Sequence, residues 1–505
     1  MVEYRLSLEN QSATERLAAD IANALEPGDV VTLSGDLGAG KTTFARALIR
    51  KLASDPALAV PSPTFTLMQT YALPRFALVH ADLYRLASAD ELDELGLEDE
   101  SEGGVLLIEW PDRAGNRLPA DRIDLAFRLM PQASADARQA ILTGHGALGS
   151  RAERLMALRD FLSESGYAHA VRTRMQGDAS TRLYERLDCD GENLILMNAP
   201  RRPDGPPVRD GKPYSAIAHL AEDVRPFVAM ADGLRMAGLS APEVIAADLP
   251  RGFLLLEDFG AGSVVEGKPP RSIAERYLAA VDLLAALHDR PLPSSLAVPG
   301  GHPYDIPPYD LEAFLIEADL LLDWYIPRQA LAPPTEVRQA FRALWTQALQ
   351  PALASPQTWV LRDFHSPNLI WLPERTGIRR VGLLDFQDAV MGPGAYDLAS
   401  LLQDARVDVS ESLEREGLAR YIRQRTGTGA DFDAQDFTQI YATMAAQRAT
   451  KILGIFARLE MRDGKPQYLR HIPRVWRYLQ RALAHPALAG LDAWYKGNVP
   501  AFDGL

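Results

Sequence analysis

Two different patterns of apolar and polar positions divide the chain. Up to about residue 150, short continuous apolar runs alternate with turn-rich segments and stretches of helical spacing. Val30-Val31-Thr32-Leu33, Phe76-Ala77-Leu78-Val79-His80 and Val105-Leu106-Leu107-Ile108 read as buried strands. A glycine-rich turn follows the first of them, and residues 42–52 then take helical spacing. Strand, turn, helix, strand is the rhythm of an α/β sheet. From residue 151 an amphipathic helix sets Leu155, Leu158, Phe161 and Leu162 on one stripe. Strand-like pieces at 183–187, 194–197 and 253–257 come next. The chain then turns mostly helical from Ile273, interrupted over 359–385. A small β-rich lobe before a larger helical lobe is the order of a kinase-like fold. The small-residue stretch 145–150 (HGALGS) reads as a flexible joint, giving domains 1–150 and 151–505.

Composition narrows the class. The 505 residues are 47% hydrophobic and 24% charged, which supplies enough apolar material for two cores and excludes a wholly disordered chain. The net charge of −14 argues against a generic basic coat for nucleic acid. Residues 1–150 hold thirteen Lys/Arg against twenty-two Asp/Glu, so both parts are acidic and charge alone does not locate the boundary. One cysteine, Cys189, excludes an intramolecular disulfide framework and a multi-Cys zinc site. No apolar run approaches the ~20 residues of a membrane span, and the N-terminus lacks a signal-peptide layout. The expectation is a soluble, cytoplasmic protein with no membrane partner.

Gly35-Asp36-Leu37-Gly38-Ala39-Gly40-Lys41-Thr42 fits G-x-x-x-x-G-K-[ST] at every fixed position. Gly35, Gly38 and Gly40 let backbone N–H groups turn inward around phosphate oxygens. Lys41 reaches the β- and γ-phosphates of ATP, the Thr42 hydroxyl suits Mg²⁺, and Thr43 completes the nucleotide-binding run. Such an ATPase also needs carboxylates at neighbouring strand ends. Asp82 and Glu109 are the candidates, with a turn-capping role as the alternative for either.

These residues, with Ser62-Pro63-Thr64-Phe65, His80-Ala81-Asp82-Leu83-Tyr84-Arg85 and Glu109-Trp110-Pro111, resemble the TsaE family over about residues 1–145. The resemblance implies an ATPase of tRNA threonylcarbamoyladenosine synthesis that works with TsaB- and TsaD-like proteins and meets tRNA indirectly. It makes Asp82 the metal-side acid, Glu109 a catalytic or switch carboxylate, and Thr64 the sensor of the γ-phosphate.

In the second part, Leu361-Arg362-Asp363-Phe364-His365-Ser366-Pro367-Asn368 sets an acid five residues before an amide. Asp385 follows seventeen residues later, at the end of an expected strand over 381–384. Phosphoryl transfer to a hydroxyl uses such a set. Asp363 positions the hydroxyl and takes its proton, while Asn368 and Asp385 hold the Mg²⁺ of Mg·ATP. Helix-capping loop residues are the alternative.

This part is similar to the aminoglycoside phosphotransferase/choline kinase superfamily over about residues 152–490. Gly177-Asp178-Ala179-Ser180-Thr181-Arg182, Leu194 to Met197, Leu254 to Asp258 and Gly394 to Asp397 resemble its AmgK members. That resemblance implies ATP-dependent phosphorylation of the anomeric hydroxyl of N-acetylmuramate and N-acetylglucosamine. It makes Gly177, Ser180, Thr181 and Arg182 the loop over the ATP phosphates, Glu257 and Asp258 the adenine-side hinge, and Asp397 a structural acid. The third-strand position that usually carries lysine is Met197, so another cation, Arg182 or Arg186, is expected to meet the phosphates. The fold expected is α/β: a P-loop NTPase domain followed by a two-lobed protein-kinase-like domain. Two alternatives stay open, a nucleotide-gated assembly switch without turnover in the first part and a different hydroxyl acceptor in the second.

Overall fold

A seven-stranded sheet organises the first 145 residues. Its strands are β1 (Glu3–Leu8), β2 (Val30–Gly35), β3 (Met68–Ala72), β4 (Ala77–Asp82), β5 (Val105–Glu109), β6 (Arg122–Leu129) and β7 (Arg138–His145), in the order β1-β7-β6-β2-β5-β4-β3. The four central strands β6, β2, β5 and β4 run parallel, and antiparallel strands close both edges. Parallel strands are covered on both faces, which is why β2, β4 and β5 read as unbroken apolar runs. On one face Val31, Leu33, Leu78 and Leu107 pack against Leu17 and Ile21 of α1 (Gln11–Ala24) and Phe44 and Leu48 of α2 (Lys41–Ala53). On the other, Val30, Val79, Leu106 and Ile108 pack with Leu83, Leu86 and Leu97.

The computed structural model describes residues 2–88, 90–92, 96–134, 136–175, 182–203, 205–329, 332–427 and 432–500. The chain separates into two units, Met1–Asn198 and Ala199–Leu505. The joint expected over 145–150 is not loose. His145 ends β7, Gly146 turns at φ 53°, and α3 (Leu148–Glu164) starts two residues later, with the Ala147 N–H bonded to Asp121 at 2.7 Å. A small-residue run looks flexible by composition, but here it is a tight turn held by a side chain. The first unit ends with an antiparallel meander of β8 (Val171–Arg174), β9 (Leu183–Cys189) and β10 (Glu192–Asn198).

The second unit has strands β11 (Val244–Asp248) and β12 (Phe253–Glu257), paired antiparallel, and is helical from α4 (Ala274–His288) onward. Helices α5 (Leu311–Ala318), α6 (Ala395–Leu402) and α7 (Ala434–Met461) bury nearly every residue that faces their neighbours. Inserted among them are two short antiparallel pairs, Gln357–Val360 with Val390–Pro393 and Leu369–Trp371 with Val381–Leu383. These pairs bracket the segment 361–368 and present Asp385 just past a strand end. Among the described residues no helix is long and apolar enough to cross a membrane.

Candidate active sites

In the first unit the cradle sits between β2 and α2. Gly35 takes φ 127°, and a Cβ there would meet the Phe127 carbonyl oxygen at 2.3 Å; Gly38 and Gly40 also lie at positive φ. Only glycine tolerates that combination of backbone and space. Lys41 and Thr42 open α2, where unpaired N–H groups and the dipole favour an anion. Lys41 is buried and its Nζ donates to the carbonyls of Gly35 and Asp36 at 2.7 and 2.9 Å, directly over the Trp110 ring at 3.7 Å. Burial pushes its pKa down, opposed by the nearby Glu109, Asp82 and Asp36 carboxylates. Thr43 follows on the same first turn and makes no contact that distinguishes it.

Asp82 and Glu109 are register partners at the ends of adjacent parallel strands, and Glu109 also pairs with Leu33 beside the cradle. Glu109 accepts from the Thr42 hydroxyl at 2.9 Å and contacts His80 Nε2 at 3.0 Å. Asp82 Oδ2 accepts from Ser62 and Thr64, at 3.2 and 3.0 Å, so this carboxylate holds the S-P-T-F loop. The structure thus brings together Lys41, Thr42, Thr64, Asp82 and Glu109. It adds two residues that sequence reasoning gave no role. His80 is wholly buried behind Glu109, with Nδ1 unpartnered, and Trp110 takes φ 59° and lies against Lys41. The signal was present in the quoted runs, but nothing in their spacing says that these rings pack on the lysine and the acid.

In the second unit the loop 361–368 is pinned from several sides. Asp397, at the start of α6, accepts from the Leu361 and Arg362 N–H groups at 2.6 and 2.9 Å. Ser400 donates to the Arg362 carbonyl at 2.9 Å, and Asp404 accepts from the Ser366 N–H at 2.9 Å. Asn368 donates from its amide nitrogen to the Asp363 carbonyl at 3.0 Å and to Asp385 Oδ2 at 3.4 Å. Gln387 donates to the other Asp385 oxygen at 2.8 Å. Arg362 and Asp385 both sit at positive φ, 65° and 58°, a conformation that non-glycine residues keep only where the surroundings impose it.

The Arg362 side chain explains how. It is buried, donates to the Ala218 carbonyl at 2.7 Å and pairs with Glu317 of α5. Glu317 is wholly buried and also accepts from Lys451 at 2.7 Å and from the Tyr309 hydroxyl at 2.5 Å. Burial alone would raise the Glu317 carboxyl, but Lys451 and Arg362 hold it below the usual range. Glu317 and Lys451 are absent from the sequence expectations, and Arg362 has no role in them, because the three stand far apart in the chain. Asp363 itself keeps 46% of its side chain open. Burial of the recess raises its pKa; the positive charges of His365 when protonated, Lys451, Arg362 and Arg448 outweigh that and keep it low. Burial also lowers His365 to about 4, so its ring is neutral at pH 7.

The expected nucleotide-side residues are placed less completely. Gly177, Ser180 and Thr181 lie outside the described residues; Arg182 directly precedes β9, and Arg186 pairs across it with Ile195. Met197 is buried on β10, opposite Tyr184. Glu257 ends β12 with its carboxylate held by Arg375, and Asp258 caps the following turn through the Gly260 N–H at 2.8 Å.

The family model for threonylcarbamoyl adenosine biosynthesis protein TsaE matches residues 8–139, and that for the phosphotransferase enzyme family matches residues 171–437, just over half of the chain. The protein of Rickettsia bellii named tRNA threonylcarbamoyladenosine biosynthesis protein TsaE is 39% identical over 130 residues, 26% of this chain and 90% of that protein. The N-acetylmuramate/N-acetylglucosamine kinase of Caulobacter vibrioides is 40% identical over 360 residues, 69% of this chain and 97% of that protein. This chain belongs to both families. Its phosphotransferase part is also 34% identical over 318 residues to the Pseudomonas aeruginosa enzyme of the same name, covering 62% of this chain and 84% of that one. The TsaE part is the α/β P-loop domain, and the phosphotransferase part has the protein-kinase-like fold.

Proposed function

We propose that the chain is bifunctional: an ATPase for tRNA threonylcarbamoyladenosine modification, acting with TsaB- and TsaD-like partners, and an ATP-dependent kinase for the anomeric hydroxyl of N-acetylmuramate and N-acetylglucosamine. This reading keeps the functional boundary near residue 150, and the two family matches, 8–139 and 171–437, fall on either side of it. In the TsaE part, Gly35, Gly38, Gly40, Lys41, Thr42 and Thr43 bind the ATP phosphates. Lys41 leaves the loop carbonyls for the γ-phosphate, and Thr64 reports its presence to Asp82. In the kinase part, Gly177, Ser180, Thr181 and Arg182 cover the phosphates, and the Glu257–Asp258 turn receives the adenine.

The donor sets fit Mg²⁺. Asn368 bonds through its nitrogen, which leaves an amide oxygen to stand with the Asp385 carboxylate, and Thr42 with Asp82 likewise offers oxygen only. When bound, the ion supplies positive charge to the phosphate oxygens. The protein's own residues do the rest. Asp363 accepts a hydrogen bond from the sugar hydroxyl and orients it toward the γ-phosphorus. As the new O–P bond forms and the β–γ bridge breaks, the hydroxyl proton passes to Asp363 and ADP leaves.

The observation that carries the kinase reading is the pinned loop, with Asp363 open, Asn368 and Asp385 adjacent, and the peptide held by Asp397. A panel of hydroxyl acceptors with ATP and Mg²⁺ tests it. N-acetylmuramate and N-acetylglucosamine are expected to outpace aminoglycosides and choline, and the reverse ranking would replace the acceptor. Phosphate release with and without TsaB- and TsaD-like proteins tests the other part; no release in either condition would leave an assembly switch.

A further inference from the structure

The second unit carries a histidine–carboxylate pair that the transfer step does not use. After the short helix Tyr214–Ile217, the Leu220 N–H closes on the Ser215 carbonyl at 2.9 Å and His219 takes φ 52°. This is a helix C-terminal turn, at the position where glycine is the ordinary occupant. An imidazole stands there instead, with its Nε2 3.1 Å from Asp310 Oδ2. Asp310 is the N-cap of α5, and its other oxygen accepts from the Ala313 N–H at 2.8 Å.

The turn is fastened to both halves of the candidate kinase site. The Ala218 carbonyl accepts from Arg362 at 2.7 Å, and Arg362 directly precedes Asp363. The Ala221 N–H donates to Asp388 at 2.6 Å, just past Asp385. Helix α5 closes the ring, since its Glu317 pairs with Arg362. His219 is therefore placed by the arginine that fixes the loop 361–368 and by a carboxylate on the helix that holds that arginine. Three non-glycine residues at positive φ, His219, Arg362 and Asp385, stand on segments bonded to one another, and such outliers cluster at functional sites.

The imidazole side chain is 23% exposed. Asp310 accepts from Nε2, so the neutral ring presents Nδ1 as an acceptor, and among the described residues nothing bonds to it. Leu220, next to it, is an exposed apolar side chain. A lone acceptor beside an apolar surface matches an acetamido group, which has one N–H and one methyl. On an N-acetyl amino sugar that group stands on C2, adjacent to the anomeric carbon whose hydroxyl is assigned to Asp363. Whatever reads it has to stand on chain fixed to the catalytic loop, as 218–221 is. We propose that His219 and Leu220 read the acetamido group of the acceptor, with Asp310 the positioning residue for the ring. The proposal rests on the N-acetyl sugar kinase reading of this site.

The test compares kcat and KM of the full chain for N-acetylglucosamine, N-acetylmuramate and glucose at saturating Mg·ATP. Glucose is followed as a competitor where it is not turned over. His219→Gly suits the turn and deletes the ring. It is expected to raise KM about 10-fold for both N-acetyl sugars, as for loss of one hydrogen bond, with kcat, KM for ATP and the glucose constant nearly unchanged. Asp310→Ser keeps a capping oxygen on α5 but is too short to reach the ring, and is expected to give a smaller rise of the same pattern. Unchanged KM for the N-acetyl sugars in both variants overturns the proposal. So does an equal loss for glucose, which marks a structural role, or a rise confined to N-acetylmuramate, which places the ring at another substituent. A parent chain that phosphorylates neither N-acetyl sugar overturns the acceptor reading itself.

Discussion

The two candidate sites set carboxylates beside a loop of fixed backbone by opposite constructions. In the TsaE part most of the machinery is one run of nine residues, 35–43, that ends a strand and opens a helix, and the acids stand at the ends of two neighbouring strands. Local geometry makes the site, and the sheet only brings the acids to it. In the kinase part the loop 361–368 has only a short 3-10 turn of its own, Ser366–Asn368. Its backbone is fixed by Asp397, Ser400 and Asp404 from later in the chain and by Glu317 and Lys451 through Arg362. The glycine cradle is expected to depend less on distant contacts. The loop pinned by buried charge is expected to depend on them more, because losing one partner leaves the other ion buried and unpaired.

The sharpest break in this comparison lies within the kinase loop. Asp363→Asn is expected to cut kcat for sugar phosphorylation by about 10²–10⁴-fold, the range for losing a general base, with ATP binding nearly unchanged. Asp385→Asn is expected to weaken Mg²⁺-dependent ATP binding as well, because it removes charge from the metal side. Calorimetric titration of ATP into each variant separates the roles, and the opposite pattern would exchange the two assignments.

Lys41→Ala is expected to lower phosphate release by about 10²-fold or more, as for loss of a phosphate-neutralising contact, while sugar phosphorylation at saturating ATP persists. Parallel loss of both products in a folded variant would mean one shared site. Glu317→Gln leaves Arg362 and Lys451 buried without their anion and is expected to cost about 3–5 kcal/mol in denaturant unfolding of the second unit. Tyr309→Phe removes one bond to the same carboxylate and is expected to cost about 1 kcal/mol. Equal, small effects from the two would show that the buried ion network does not hold the loop.

The mildest effect is a pH dependence. His288 is buried against Tyr421, its Nδ1 2.9 Å from the hydroxyl, and burial depresses its pKa from 6.5 to about 3. The native chain therefore binds fewer protons here than the unfolded chain whenever the pH lies between those values. The stabilisation is complete above pH 6.5 and is lost as the pH falls, by about 1.4 kcal/mol per unit. Thermal melts of His288→Gln are expected to show a flatter decline between pH 6.5 and 4.5 than the parent, and parallel declines would place the titration elsewhere.

The sequence by itself determined the strand–turn–helix of the cradle, the apolar strands behind it, the acids at their ends, and the set Asp363, Asn368 and Asp385. These are legible because each depends on residue types at short, fixed spacing, where backbone geometry follows from composition: glycines at positive φ, continuous apolar runs for strands covered on both faces. Tertiary structure alone decided that Glu109 rather than Asp82 meets the Thr42 hydroxyl, that Trp110 and His80 back the two charged groups, and that the run 145–150 is a two-residue turn from β7 straight into α3. It alone supplied Glu317 and Lys451, which lie 45 and 89 positions from the arginine they fix. Burial of a charge is a property of everything packed around it, so a partner can come from any distance in the chain, and no local pattern announces which one the fold will choose.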